Sequence, residues 1–461
     1  GSRFSDCRFV ASGGRPGAVR LSLVVSWLKK EPDMVWIKKI IAFLNGRLLK
    51  DLSLTVFLQL FARLFQMLGM FHVANCYGDL NGESNKALVS AQYIQFILTF
   101  GLDIIAVRHL AAKSIVFEQL ISSLFTIRLC LYGTTSILWL MGLWSMNLSP
   151  EESILWCAAI LNLFVLGMNF QWVFQGLQKM PMFSLIQSLT SIVIASYFLL
   201  VFRPGIHMGA DLWVMGIIQA LVTIGSWYYI RCQWHVYLIN FSDIKKLFQF
   251  VVEGLPNWIF GLFYNTLITF GMLSIKSLTS SGDFANQDDS YANLSRIAMA
   301  TQMILAFGGS VIYTRVVVWR NERSDFFFRV TLICGMVILA GLLSCGVLHL
   351  SYPWLYPLLF PDEIFHSAGP YLSITVFGRF LGLTSGILVW SLLAYHRDWL
   401  TVQCAFVPVL VSVILHFYFV PRYGLVATTW LYVGGELGLF ICCFAAFIHL
   451  KKQTVKPIHE K

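Results

Sequence analysis

Apolar runs of about twenty residues recur along nearly the whole chain and are separated by short polar segments. Each run is long enough to cross a hydrocarbon core of roughly 30 Å as an α-helix. The runs do not alternate apolar and polar positions over about ten residues, which excludes a transmembrane β-barrel. We therefore predict an all-α polytopic membrane protein of about twelve transmembrane helices. The predicted spans are 52–74, 87–107, 119–144, 153–174, 182–202, 211–230, 249–275, 291–314, 328–350, 370–394, 400–419 and 425–449.

A segment at the end of the second span recurs in the second half of the chain. Gln95–Arg108 reads QFILTFGLDIIAVR, and Gln302–Arg315 reads QMILAFGGSVIYTR. Seven of the fourteen aligned pairs are identical, and the matched Gln, Gly and Arg are uncommon inside apolar spans. The copies lie six spans apart, so both cross the membrane in the same direction. The repeat therefore predicts two six-helix lobes related by a pseudo-twofold axis along the membrane normal.

The positions of Lys and Arg orient these spans. If the amino end of the first span is cytoplasmic, the inner segments are rich in Lys and Arg, whereas the outer loops carry only Lys86, Arg203, Lys276 and Arg422. Cytoplasmic segments are the ones expected to be basic, so we expect both termini in the cytoplasm. This topology accounts for the formal net charge of +10, and a nucleic-acid partner is not needed to explain it.

The spans also set the expected domain boundaries. The predicted segments are a disordered or non-native extension at 1–33, a basic interfacial helix at 34–50, an N-lobe at 51–230, a cytoplasmic linker at 231–248, a C-lobe at 249–450 and a basic cytoplasmic tail at 451–461. No outer loop exceeds about twenty residues, which leaves no room for an extramembrane catalytic domain. The cysteines form no CxxC pair, so we predict neither a metal site nor a disulfide framework.

Charged side chains inside the spans need a partner, water or a route to the interface, because each costs about 2.5–3.5 kcal/mol on insertion scales. Arg63, Arg379 and Glu436 lie near the middle of their spans. We favour the cavity for Arg63, whose span has no acidic residue. Arg379 and Glu436 are either a structural ion pair, or a cavity cation and a protonatable carboxylate that couples transport to an ion. Asp103 and Glu253, near the cytoplasmic ends, are further candidates for ion coupling or are simply solvated.

Two glutamines and a proline complete the candidate residues. Gln95 and Gln302 belong to the two repeat copies, so the pseudo-twofold would place them on opposite walls of a central cleft, where they could contact sugar. The alternative is that each forms an interhelical hydrogen bond. Pro256 leaves a backbone carbonyl of its span unpaired and is a candidate hinge. The repeated Arg108 and Arg315 lie at the inner membrane edge, where we interpret them as topological anchors.

The arginines within the spans favour an anionic ligand. Arg63, Arg128, Arg296 and Arg379 outnumber the acids there, although Arg128 and Arg296 lie nearer span ends and could reach an interface. Guanidinium binds phosphate through two parallel hydrogen bonds and stays protonated. If these side chains face the cleft, a diphosphate head group suits the cavity and a cationic drug would be repelled.

Four motifs in order along the chain carry a family resemblance: GLDIIAVRHLA at 101–111, EGLPNWIFGLFYNTL at 253–267, SYANLSRIA at 290–298 and PLLFPDEIFHSAGPYL at 357–372. With the twelve-span layout, they resemble the lipid-linked oligosaccharide flippases and polysaccharide-biosynthesis exporters of the multidrug/oligosaccharidyl-lipid/polysaccharide (MOP) exporter superfamily. The chain departs from that family after the first span, where HVANCYGDLNG places Asn75 near the position of an expected arginine.

The resemblance implies a transporter and not an enzyme. Its substrate would be an undecaprenyl-diphosphate-linked oligosaccharide, moved by alternating access from the cytoplasmic to the periplasmic leaflet of a bacterial inner membrane. Arg296 would contact the head group, with Arg63 and Arg379 beside it. Membrane lipid and the glycan polymerase or export machinery are the expected partners, and H+ or Na+ is the expected coupling ion, with no other cofactor. The alternatives are a cation-coupled multidrug exporter, a peptidoglycan-precursor flippase and, less favoured, a membrane glycosyltransferase or polymerase.

Overall fold

The computed structural model describes a large part of the chain, and every regular element in that part is helical. The described residues are 101–112, 115–146, 148–203, 209–239, 244–278, 311–320, 325–359 and 368–455, with scattered residues between 57 and 99, at 207 and between 290 and 309. The predicted extension at 1–33 and the interfacial helix at 34–50 lie outside the described residues.

In the described part of the chain, ten helices with defined bounds follow one another. In the first half they are α1 Leu102–Ala112, α2 Phe117–Ser145, α3 Pro150–Gly167, α4 Gln171–Gly176, α5 Met180–Val201 and α6 Ala210–Trp234. In the second half they are α7 Ile244–Leu278, α8 Phe326–Leu359, α9 Leu372–Ala394 and α10 Asp398–Val455. Residues 311–320 are also helical.

Local sequence explains where several of these helices begin and end. The side chain of Ser149 accepts a hydrogen bond from the Glu152 amide, Glu152 reaches back to the Ser149 amide, and Pro150 occupies the first turn of α3. Within α10, Gly424 has φ 48° and ψ −124°, which are not helical angles. The long α10 therefore consists of two helices joined at Gly424, which matches the predicted spans at 400–419 and 425–449.

The helices are long enough to cross a bilayer and expose apolar surface to it. Among the described residues, seven helices combine the length and the composition of a membrane span. On α8 the exposed residues Leu339, Leu343, Val347 and Leu350 recur at helical spacing. Such a stripe is unfavourable in water but faces hydrocarbon in a membrane.

Packing in the second half centres on α9. This helix lies between α8 and α10, α7 also packs on α10, and most residues of α9 are buried. The helix α8 runs to Leu359, so the predicted outer loop at 351–369 begins later than the sequence indicates. Pro353 and Pro357 suggest a loop there, but both are accommodated inside the helix.

Candidate functional site

The first half of the chain meets the second half at Gly101, the glycine of the first repeat copy. Gly101 has φ +67°, in the left-handed region that favours glycine. A Cβ atom at this position would lie 2.7 Å from the Asn257 Cβ atom, 2.7 Å from the Gly254 carbonyl oxygen and 2.9 Å from the Trp258 amide nitrogen. Because all three atoms belong to α7, the glycine permits a backbone approach between the halves that no larger residue allows.

Seven residues after Gly101, Arg108 joins α1 to three helices of the second half. Its Nη1 atom donates to Asp398 Oδ1 at 2.9 Å and Oδ2 at 3.1 Å, and to the Leu393 carbonyl at 3.2 Å. Its Nη2 atom donates to Glu253 Oε1 at 2.5 Å. Only 3% of the Arg108 side chain is exposed. We call Arg108, Glu253 and Asp398 the inter-lobe clamp.

The second repeat copy contributes to the same contact. Tyr313 Oη donates to the Ile104 carbonyl at 3.0 Å, and Thr314 Oγ1 donates to the Gln175 carbonyl at 2.9 Å. The closing parts of the two repeat copies therefore touch each other through the Tyr313–Ile104 hydrogen bond. Gln302, the predicted partner of Gln95 across the cleft, lies outside the described residues.

The charges around the clamp are nearly balanced. Two carboxylates face one guanidinium, and His109 Nε2 lies 3.2 Å from Glu253. Partial burial, followed by the charges of Arg108 and Arg320, lowers the pKa of His396 below its ordinary value. That imidazole is therefore mainly neutral at pH 7 and adds no full positive charge near the clamp.

These contacts change two interpretations made from the sequence. Arg108 is more than a topological anchor, because its guanidinium is buried and bonded to two carboxylates from the other half. Glu253 is not simply solvated, since it holds both Arg108 and His109. Asp398 was not predicted at all: it lies in a short polar turn between two spans, where nothing in the sequence connects it to Arg108.

A second charged cluster lies wholly within the first half. Arg128 is completely buried, donates to the Asn169 carbonyl at 2.8 Å and to the Gly167 carbonyl at 3.4 Å, and forms an ion pair with Asp103. Its guanidinium carbon also lies 5.5 Å from the centroid of the Trp172 ring. Arg128 therefore reaches neither a membrane interface nor an open cavity, and Asp103 is engaged as its counter-ion.

A third cluster lies among α7, α9 and α10. Arg379 is 6% exposed, and its guanidinium carbon lies 4.7 Å from the Tyr432 ring centroid. Glu436 is fully buried, and no described residue donates a hydrogen bond to either of its carboxylate oxygens. Gly382 makes room for this group, since a Cβ atom there would lie 2.8 Å from Tyr264 Oη and 2.9 Å from Glu436 Oε1. The structure thus brings Arg379 and Glu436 to one buried region, both near Tyr432.

The remaining polar residues mostly serve helix packing. Asn162 donates to the Ala158 carbonyl of its own helix and to the Leu212 carbonyl of α6. Gln59 donates to the Ser184 carbonyl, and Gln66 accepts from Ser191, so both glutamines bond α5. Of the predicted site residues, Gln95 is half-buried and Pro256 lies inside α7. The predicted ligands Arg63 and Arg296 lie outside the described residues. No group of three or more His, Cys, Asp or Glu side chains among the described residues could hold a metal ion.

Comparison with known proteins gives one family and many similar structures. The model of a family described as polysaccharide biosynthesis protein matches residues 48–318. No curated protein matches the chain closely enough to count as a relative.

The similar structures are transporters. An outward-facing multidrug resistance MATE family transporter of the MOP superfamily is 15% identical, covers 90% of this chain and 97% of its own, and superposes with a TM-score of 0.64. The Vibrio cholerae MATE transporter VcmN, in a mutant form, is 14% identical, with coverages of 89% and 98% and a TM-score of 0.66. This likeness shows the fold, and it confirms the predicted twelve-helix, two-lobe architecture.

Proposed function

Since the chain belongs to the polysaccharide biosynthesis protein family, and is thus a multi-pass membrane transporter of the MOP superfamily, we propose that it exports a lipid-linked oligosaccharide. The substrate is an undecaprenyl-diphosphate-linked repeat unit of O-antigen, capsule or exopolysaccharide. The protein moves it from the cytoplasmic to the periplasmic leaflet of a bacterial inner membrane, with both termini in the cytoplasm. Glycan polymerase or export machinery takes the product.

The observation that carries this proposal is the family match, which runs from the first span through α7 to residue 318. The inter-lobe clamp supports the alternating-access part of the proposal. It joins the halves at one end, on the side that the distribution of Lys and Arg predicts to be cytoplasmic. Opening a path to that side requires Arg108 to leave Glu253 and Asp398, so the clamp is suited to act as the inner gate.

Arginines hold the diphosphate in this proposal. The candidate phosphate ligands are Arg63, Arg296 and Arg379. We exclude Arg128 as a phosphate ligand because it bonds the Asn169 carbonyl and Asp103, both in the first half. Gln95 and Gln302 contact sugar. A proton or Na+ binds at Glu436, since a buried carboxylate that accepts no hydrogen bond from a described residue gains from either ion. Pro256 is the hinge in α7, directly beside the backbone contact with Gly101.

The fold is shared with multidrug transporters, so the alternative is a cation-coupled multidrug exporter of the same superfamily. The two functions separate in one experiment on a strain that lacks the gene. Lipid-linked glycan should accumulate in the cytoplasmic leaflet, and surface polysaccharide should return with the wild-type gene. Arg63→Ala and Arg379→Gln should fail to restore it, whereas Arg231→Gln, an exposed arginine at the end of α6, should restore it fully. Normal export in the deletion strain, with increased drug sensitivity, would favour the multidrug function.

A further inference from the structure

A cavity of about 570 Å³ adjoins the clamp on the side of the second half. It lies between the start of α7, the turn that joins α9 to α10, and the last turns of α10. Glu253 and Asp398 form part of its wall, so the cavity shares both carboxylates of the clamp. Anything that binds in the cavity is therefore in electrostatic contact with the groups that hold the two halves together.

Arg397 provides the cavity with an available cation. Its side chain is exposed, and its hydrogen bond from Nη2 to Gln453 Oε1 is long, at 3.4 Å. Among the described residues Arg397 forms no ion pair, whereas the two carboxylates nearby are already neutralised in part by Arg108. Gln453 Nε2 and His449 Nε2 lie 2.8 Å apart on the same wall and add hydrogen-bonding groups.

Part of the cavity wall is apolar. Trp399 is 56% exposed and Val252 is 53% exposed, and both line the cavity. An exposed tryptophan at a helix end is typical of the membrane–water interface, where its ring lies beside glycerol and the first methylenes. Beyond the polar wall, the exposed Lys451 and Lys452 extend the basic surface.

We infer that this cavity binds the phosphate-bearing head group of an acidic phospholipid. Arg397 donates to the phosphodiester oxygens, Gln453 and His449 bond the rest of the head group, and Trp399 with Val252 packs against the start of the acyl chains. Guanidinium is suited to this anion because it offers two parallel donors. An exposed arginine in a pocket at a helix boundary, on the face predicted to be cytoplasmic, is a typical contact for such a head group.

Head-group binding also favours the closed clamp. With Arg108 in place, the formal charges of Glu253, Asp398, Arg108 and Arg397 sum to zero. When Arg108 withdraws, the two carboxylates beside the phosphate lose their counter-ion and repel it. A ligand that binds one state better shifts the population toward that state, and closing the clamp must tighten lipid binding by the same factor.

The test uses the purified full chain in a neutral detergent and measures thermal unfolding during titration with three probes. Short-chain phosphatidylglycerol should raise the Tm saturably, and short-chain phosphatidylcholine and inorganic phosphate at equal concentrations should not. Arg397→Gln should weaken the phosphatidylglycerol response about tenfold in concentration, which corresponds to the loss of one charge-assisted contact. Arg231→Gln, which changes another exposed arginine at a helix end, should respond as wild type.

The outcomes separate the possible occupants. An unchanged response in Arg397→Gln, or an equal response to phosphatidylcholine, overturns the site. A shift reproduced by inorganic phosphate and lost in Arg397→Gln overturns the lipid as the source of the phosphate. Arg108→Gln, or Arg108→Lys if the first variant does not fold, should bind phosphatidylglycerol more weakly than wild type. Equal affinity in that variant overturns the coupling between cavity and clamp.

Discussion

Arg108 and Asp398 lie 290 positions apart in the chain and are joined by hydrogen bonds of 2.9 and 3.1 Å. Both bonds come from the Nη1 atom, so one nitrogen of Arg108 holds both carboxylate oxygens and keeps α1 close to the start of α10. Because Arg108 also holds Glu253, one side chain from the first half connects two helices of the second half. Any conformation that separates the halves at this end must first break these bonds.

Arg108→Gln should therefore loosen this end of the protein. The change leaves Glu253 and Asp398 facing each other without a cation, and breaking a buried ion pair typically costs about 3–5 kcal/mol. We expect a smaller loss, about 1–3 kcal/mol, because Glu253 and Asp398 keep 27% and 15% of their side chains exposed. Hydrogen–deuterium exchange should become faster in 102–112 and 249–258, and export should fall.

The control for this prediction neutralises the whole clamp. A triple variant with Arg108→Gln, Glu253→Gln and Asp398→Asn removes the cation and both anions, so it should be more stable than Arg108→Gln alone. If Arg108→Gln exchanges its amide protons as slowly as wild type, the clamp does not hold the two halves together.

Gly101→Ala should destabilise the same contact for steric reasons. A Cβ atom at Gly101 would lie 2.7 Å from Asn257 and Gly254, and the left-handed backbone adds strain for any residue with a Cβ atom. We expect a loss of about 2–4 kcal/mol, measured as a lower Tm in detergent. Gly142→Ala is the matched control, because nothing lies within 4 Å of its added Cβ atom. Equal Tm values for the two variants would show that α1 moves away from α7 at little cost.

The sequence predicts the helices well because the membrane sets their length and composition. The spans at 119–144 and 370–394 correspond closely to α2 and α9. The exception is α8, where Pro353 and Pro357 favour a loop in the sequence but lie within the helix. Prolines are tolerated in such helices because neighbouring groups satisfy the freed carbonyls, and the sequence alone does not identify those neighbours.

The candidate site is less predictable because it depends on contacts between distant segments. The repeat identified Arg108 as unusual, but its partners lie 145 and 290 positions away. The position of Arg128 in its span also fails to predict its role. Arg128 lies near a span end, but it is completely buried and forms an ion pair with Asp103 on the neighbouring α1. Charge pairing between helices is a three-dimensional property, which the linear pattern of polar residues does not contain.

Arg128→Gln should destabilise the first half without acting on the substrate. The side chain bonds Asp103 and the carbonyls of Gly167 and Asn169 from full burial, so its loss leaves three acceptors in need of donors. A buried pair broken on one side typically costs about 3–5 kcal/mol. Because 34% of the Asp103 side chain is exposed, we expect a smaller loss, about 1–3 kcal/mol, measured as a lower Tm in detergent. Arg203→Gln is the control, since Arg203 bonds only the nearby Phe202 and Leu200 carbonyls. A variant with normal Tm and lost transport would instead place Arg128 at the substrate.

Glu436→Gln should separate ion coupling from folding. The amide keeps the shape of the carboxyl group and removes a charge that is buried without described hydrogen-bond donors, so the variant should be at least as stable as wild type. In proteoliposomes with an imposed pH or Na+ gradient, wild-type export should respond to one gradient, and Glu436→Gln should lose that response while still binding the lipid-linked glycan. Glu118→Gln, at an exposed glutamate in the first turn of α2, should respond as wild type. Gly382→Ala should impair coupling as well, because its Cβ atom would lie 2.9 Å from Glu436 Oε1. A gradient response that survives Glu436→Gln would exclude this carboxylate as the coupling group.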